Sequence, residues 1–300
     1  MTEPKRHHYV PQTYLKNFAF KKNNQYKVNV IDKTSRNIFL SNISNIAVEK
    51  EFYTVSTMPD KYMWEKYYGQ AIEPIMADLF KSLRGKCENC LIVNKSQVIN
   101  SMDKNYFSMI ITIQFLRGIH SRNYEKDIFV KNVPELFGKD IQKYEEINSD
   151  DYYDILDSYQ NDESLFREIV MKTNIDNLRV ANIAQYLINR NWIVYKIVDN
   201  SEFVTSDNPV MIMNAESLDV TPFKNGVTSH KTCVFYPISS KLLIGIYSFK
   251  DEDFVLNSYD GKLIELCNHG QFINFINNKQ LEQCFRQVYS CSVETLKRLK

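Results

Sequence analysis

The hydrophobic pattern of this chain switches from helical to strand period near residue 190, and few architectures accommodate that change. Before it, apolar residues recur at three- and four-residue spacing, as in helices that bury one face. After it, Trp192-Ile193-Val194-Tyr195-Lys196-Ile197-Val198, Phe203-Val204-Thr205, Thr232–Pro237 and Leu242–Tyr247 read as strands separated by Asp-Asn-Pro and Ser-Ser turns. An earlier β signal lies at Tyr26–Ile31 and Asn37–Leu40, joined by the turn residues Asp32-Lys33-Thr34-Ser35. The expected fold is therefore α+β, with an N-terminal β-hairpin segment, a helical middle with a long buried helix, and a C-terminal, mainly antiparallel sheet with a closing helix. One domain is expected over 1–300: a β-rich segment over 1–60, a helical region over 61–190, and a β-rich region with a C-terminal helix over 191–300.

Within the helical region, Trp64, Tyr68, Ile72, Met76, Leu79 and Leu83 predict a helix from about Lys61 to Leu83, kinked at Pro74. The stretch Arg84–Ser96 reads as a connection, and Val133–Asn161 as acidic, with shorter helices and loops. Ser101 is the expected N-cap of a helix running from Met102 to about Lys131. Its centre, Phe107–Leu116, is apolar on most faces and predicts burial. Two amphipathic helices follow, at Glu163–Lys172 and Asp176–Asn189, and the last residues, Glu294–Lys300, read as helix.

Charge narrows the function classes. With 37 Lys and Arg against 36 Asp and Glu, the net charge is +1, which excludes a uniformly basic nucleic-acid binder and leaves room only for a local basic cleft. No apolar run approaches the ~18 residues that a membrane span needs. The polar start predicts no secretory leader, so a cytoplasmic protein with six reduced cysteines is expected. Neither Gly-rich phosphate-loop pattern occurs, nor do GxSxG or HExxH. Zinc is not expected: Cys87-Glu88-Asn89-Cys90 with Cys267 and His269 lacks the spacing of a finger.

Chemistry-bearing residues are dispersed. His7 and His8 in Arg6-His7-His8-Tyr9-Val10-Pro11-Gln12 point to opposite faces of an extended chain, so one can face a site while the other faces water. Gln114, Arg117 and His120 recur at spacing three on the helix expected to be buried, with Arg122 close behind. Polar groups there are costly unless they are paired or face a cleft. Glu73, beside Pro74, is the natural counter-charge or a metal carboxylate, and Asp207 in Thr205-Ser206-Asp207-Asn208-Pro209 sits at a strand end. That carboxylate suits either a rigid Asx-type turn or a metal site.

Together these segments resemble the bacterial domain-of-unknown-function family numbered 4238. The resemblance rests on His7-His8-Tyr9-Val10-Pro11-Gln12 followed by Tyr14-Leu15 and Phe18, on Phe52-Tyr53-Thr54, and on Glu73. It continues through Gln114 with Arg117 and Arg122, Val204–Pro209, Phe235–Ser239, and a helix near Val288-Tyr289. Thr13 departs from the bulkier aromatic common there. The resemblance implies a setting in bacterial anti-phage defence and favours a toxin-like or nuclease-like role.

The expectation is a phosphodiester-cleaving enzyme acting on nucleic acid with a divalent ion, Mg or Mn. Glu73 and Asp207 would bind the metal, and His7 or His8 would act as general acid or base. Arg117, His120 and Arg122 would form the anion-binding cluster, with Gln12, Gln114 and Asn208 orienting groups. The alternative is a non-enzymatic sensor or interaction protein in which the same residues form a structural network. A closed, dry cluster favours the latter.

Overall fold

The computed structural model describes residues 5–90, 96–141, 149–174, 177–221, 225–249 and 254–299. Its first elements are β1 (Arg6–His8), α1 (Gln12–Leu15), β2 (Phe20–Lys22), β3 (Gln25–Asp32), β4 (Ile38–Asn42) and β5 (Val48–Lys50). A helical series follows: α2 (Met63–Tyr67), α3 (Glu73–Glu88), α4 (Ser101–Leu116), α5 (Ile119–Ile141), α6 (Ser149–Asn161), α7 (Glu163–Asn174) and α8 (Asn177–Ile188). The chain then enters β6 (Arg190–Ile197), β7 (Thr205–Ser206), β8 (Met211–Asn214), β9 (Thr232–Ser239) and β10 (Leu242–Phe249). It closes with α9 (Phe254–Asn257), β11 (Lys262–Leu266), α10 (Gly270–Gln283), β12 (Gln287–Ser290) and α11 (Val293–Lys297). This is the expected α+β order. Residues 91–95 of the expected connection, 142–148 of the acidic stretch, Asp176 and Lys300 lie outside the described residues.

The C-terminal sheet runs β11-β6-β10-β9-β8 and is antiparallel except that β11 lies parallel to β6. Its near-continuous apolar strands are covered on one face by the main core, where Trp192, Val194, Val234, Tyr236, Ile244 and Ile246 meet helix residues. The expected hairpin forms β3 and β4, with Ile31 opposite Ile38. The other edge of β3 takes β2 near its start and β12 near its end, and β12 in turn pairs with β7. The residues near Val288-Tyr289 are thus a strand, not a helix; two strands offer their backbone groups partners that a helix would leave elsewhere.

Helix α4 supplies Phe107, Ile110, Ile111 and Leu116 to the main core and packs along α8, while Met102, Tyr106 and Met109 form a solvent-facing stripe. Its N-cap is Asn100, one residue earlier than expected: the Asn100 side chain accepts from the Asp103 amide, and Asp103 accepts from the Asn100 amide in return. The expected single helix to Lys131 breaks at Arg117-Gly118. The Gly118 amide bonds Phe115 O at 3.3 Å, and a Cβ there would lie only 3.3 Å from that oxygen and 4.0 Å from the Asn208 side chain. A glycine lets the turn close on the Phe115 carbonyl, where a side chain would be crowded. Beyond the break, Phe129, Val133, Leu156, Phe166 and Val170 of α5, α6 and α7 make a separate small core.

Ahead of Pro74 the helix widens rather than simply kinking. Tyr68–Ile72 form a π turn in which the Glu73 amide reaches back to Tyr68 O, and Pro74 begins α3, where its missing N–H is no loss. Among the described residues, no helix is long and apolar enough to cross a membrane.

Candidate functional site

Strand β1 pairs antiparallel with β5, His7 opposite Glu49, and this places the two histidines on opposite faces. His7 is fully buried. Its Nδ1 accepts the Tyr53 amide at 2.9 Å, its ring stacks parallel to Tyr53 at 5.8 Å, and Tyr62 meets its edge. An accepting Nδ1 puts the proton of the neutral ring on Nε2. Burial pushes the His8 imidazole down to about 4, with Arg6 and Arg117 adding to the fall against bonds to Ile43 and Ser44, so it is neutral near pH 7. Gln12 opens α1 and is half-buried.

The end of α4 grips the backbone of this segment. Gln114 Nε2 donates to Tyr9 O at 3.1 Å, and Arg117 Nη2 donates to His8 O at 2.7 Å. Arg117, only 2% exposed, also donates from Nε to the Tyr53 hydroxyl at 3.0 Å and lies 3.6 Å from Glu73 Oε1. Its guanidinium covers the Tyr68 ring at 4.2 Å, a position that the π turn provides. Burial works against the Arg117 charge, but Tyr53, Glu73 and Tyr68 outweigh it and hold the group protonated.

Two carboxyls balance that charge. Glu73, at the start of α3, is raised by burial against the pull of Arg117 and a hydrogen bond with Thr13. Glu65 on α2 is pushed up to about 7 by burial and by Glu73, again against Arg117. Glu65 was not legible in the sequence, where it is one more helix glutamate. The sequence signal that could have found it is its place, eight residues before Glu73, on the same apolar-striped helix.

The strand-end turn is tied elsewhere. Asp207, 1% exposed, accepts three backbone amides: Phe285 at Oδ1 (2.8 Å), and Arg286 (2.7 Å) and Gln287 (2.8 Å) at Oδ2. Burial pushes its carboxyl up to about 6, and those three amides and Lys33 pull the other way. Asn208 O accepts from Gln283 Nε2 at 2.6 Å, and Pro209 O accepts from Gln280 Nε2 at 3.1 Å. With Asn277, which accepts the Val204 amide and donates to Glu202 O, these amide side chains form a row at spacing three on α10. The row is a second set of residues missed from the sequence. Tyr14 joins the remaining motif pieces: its hydroxyl donates to Pro237 O at 2.6 Å and lies 2.7 Å from Thr205 Oγ1.

The break at Gly118 divides the trio expected on one face. Gln114 and Arg117 face the N-terminal segment, whereas His120 sets its ring edge-on to Phe285 at 5.4 Å and lines a crevice of about 10 Å³ with Ser121, Asn208 and Gln283. Burial lowers the His120 imidazole, with Lys33 adding to it. Arg122 donates to Phe52 O at 3.2 Å and to Glu163 at 3.0 Å, over the Phe52 ring. Its pKa is lowered by burial and by the like charge of Arg167. Arg117, Arg122 and Arg167 line a crevice of about 10 Å³, room for about one water molecule, walled by Phe52, Tyr53 and Tyr68. The structure thus brings His7, His8, Gln114, Arg117 and Glu73 together, while Asp207 and Asn208 engage α10 and the turn after it.

Each of the two carboxylates expected to share a metal is engaged separately. Glu73 faces Arg117 and Thr13, and Asp207 has three of its roughly four acceptor positions occupied by amides. Among the described residues, no group of three or more His, Cys, Asp or Glu is placed to hold a metal ion. Cys87 is buried, which pushes its thiol up to about 12, and Cys267 is exposed.

An α+β chain whose signature side chains bind each other's backbone across distant segments is the class defined by this arrangement. More narrowly, the chain belongs to the family described as protein of unknown function DUF4238, whose model matches residues 6–294. That span opens at Arg6 in β1 and ends in α11, so it takes in every contact just described. No curated protein and no solved structure matches the chain.

Proposed function

We propose that this chain is a non-enzymatic sensor or interaction protein whose polar signature residues lock the N-terminal segment, the end of α4 and the Thr205–Pro209 turn into one unit. The observation that carries the reading is the direction of the charged atoms: Asp207 meets three amides, and Arg117 meets a carbonyl, a hydroxyl and a carboxylate. A metal-dependent nuclease needs carboxylate oxygens open to the ion and cations open to the scissile phosphate. The setting that fits a member of this bacterial family is cytoplasmic, in anti-phage defence, with the chain responding to a signal rather than cutting nucleic acid.

The test pairs stability with activity. Asp207→Ala leaves three amides without their acceptor, at about 1 kcal/mol each, so a loss of about 3 kcal/mol in unfolding free energy is expected. Wild-type protein is expected to cleave neither DNA nor RNA in millimolar Mg²⁺ or Mn²⁺. Metal-dependent cleavage that vanishes in a folded Asp207→Asn protein would overturn the proposal.

A second reading, a phosphodiester-cleaving hydrolase using Mg or Mn, draws support from Glu65 and Glu73. Both are raised beside Arg117, as a general acid requires. It predicts that Glu65→Gln removes a measurable cleavage activity.

A further inference from the structure

A cavity of about 300 Å³ lies where α3 passes the turn that follows α1, a size at the lower end of small-molecule pockets. Ala77, Phe80 and Arg84 reach it from one face of α3, at helical spacing, with Phe80 itself buried. Thr13 and Lys16 line it from the N-terminal segment, and Tyr26 of β3 completes the wall. Its charge is one-sided. Arg84 Nη1 donates to Asn17 Oδ1 at 2.8 Å, and its other N–H groups have no partner among the described residues. The Lys16 and Lys21 ammonium groups each stand 5.4 Å from the centre of the Tyr26 ring, Lys21 lying opposite Tyr26 in the β2–β3 pair. Among the described residues, none of these three cations forms an ion pair with a carboxylate. The carboxyl that Lys16 influences, Glu73, is already held by Thr13 and Arg117.

We propose that this cavity binds a phosphorylated small molecule, its phosphate held by Arg84 and Lys16 and its body lying over Ala77, Phe80 and Tyr26. A phosphate monoester carries close to two negative charges at neutral pH, which one arginine and one lysine match. A guanidinium fork suits its oxygens. The cavity is about ten times the ~30 Å³ share of one water, more than a free phosphate fills, and its apolar wall suits the rest of an ester. The lining holds no carboxylate, imidazole or thiol, so it suits holding such a molecule rather than cleaving it. Short links join it to the signature residues. Thr13 bonds Glu73, Tyr14 beside it donates to Pro237 O, and Asn17 O accepts the Ser240 amide at 3.3 Å. A ligand shared by Arg84 and Lys16 would thereby fasten α3 to the N-terminal lock. The inference deepens the sensor reading by naming the ligand class and rests on it.

Titration calorimetry of the full chain with adenosine monophosphate and with a hexose phosphate, beside adenosine and inorganic phosphate at equal ionic strength, tests the site. Saturable binding of at least one ester is expected, about tenfold tighter than adenosine or inorganic phosphate. The tighter ester then tells a planar base from a sugar as the body. Arg84→Gln and Lys16→Gln, the latter at an exposed position, are each expected to weaken that binding about tenfold. Ala77→Leu, which fills the cavity and keeps both cations, is expected to abolish it. Unchanged circular dichroism in each variant separates a lost site from a lost fold. Binding of neither ester overturns the site, and so does inorganic phosphate binding as tightly as the esters. An ester affinity that Arg84→Gln or Ala77→Leu leaves unchanged also overturns it. Each of these failures leaves the non-catalytic reading standing, because that reading falls only on a cleavage assay.

Discussion

Replacing Glu65 with glutamine should make the protein more stable, and only at high pH. In the fold, the Glu65 carboxyl titrates near 7, against an ordinary value of 4.5, because burial and the neighbouring Glu73 disfavour its charge more than Arg117 favours it. The folded chain therefore binds a proton at Glu65 through a range in which the unfolded chain has released it. The contribution is fully present below about 4.5 and is lost as pH rises through about 7. That displacement corresponds to about 3 kcal/mol at full effect, and the partial exposure of the side chain brings it to about 2 kcal/mol. Glutamine keeps the shape of the protonated acid and cannot ionise. The Glu65→Gln protein should match wild type at pH 4 and exceed it by about 2 kcal/mol at pH 8, or about 3 °C in Tm for a chain of this size. Urea denaturation at several pH values, read as a change in midpoint at constant slope, measures this directly. A stability difference that does not vary between pH 4 and 8, or a wild type that is the more stable at pH 8, would refute the account of the Arg117 cluster.

His8 should show the opposite slope. Its imidazole titrates near 4 in the fold against 6.5 in the unfolded chain, so its contribution is present above 6.5 and lost as pH falls toward 4. The His8→Asn protein should therefore lose about 1–2 kcal/mol less than wild type between pH 7 and pH 5, measured by urea midpoints at the two values. Tyr14→Phe removes the hydroxyl shared by Pro237 O and Thr205 and should lower stability by about 1–2 kcal/mol without altering the circular dichroism of the folded chain.

The α+β order was legible because periodicity is local: the hairpin at Ile31 and Ile38 and the buried centre of α4 both follow from residues a few positions apart. The break at Gly118 was not: an isolated glycine is tolerated within a helix pattern, and its tight turn onto the Phe115 carbonyl shows only in the fold. Strand β12 escaped because its pairing is not local; Val288 finds its partners at Ile31 and Ser206. At the site, Gln114 and Arg117 stood out because polar groups on an apolar helix demand an explanation. Glu73 was legible as the counter-charge of Arg117, but the His8 and Tyr9 carbonyls were not, because every residue possesses one. Asp207 illustrates the limit: a strand-end aspartate looks the same in sequence whether it meets a metal ion or three amides of a turn nearly eighty residues away. Gln280 and Gln283 look like ordinary helix surface until α10 packs over residues 208 and 209.

The pairing of β3 with β12 has a consequence for how the protein is made. The hairpin β3–β4 emerges early in synthesis and its contacts are local, so it can form while most of the chain is still untranslated. Over Asn29–Asp32, however, its second edge is covered only by β12, which is synthesised some 250 residues later. At the usual rate of ~5–20 residues per second, that stretch stays uncovered for roughly ten seconds or more. An open edge is a template for pairing with another chain. Polysomes making this protein should therefore be its most aggregation-prone form, and nascent chains halted before residue 287 should bind chaperones that full-length chains do not.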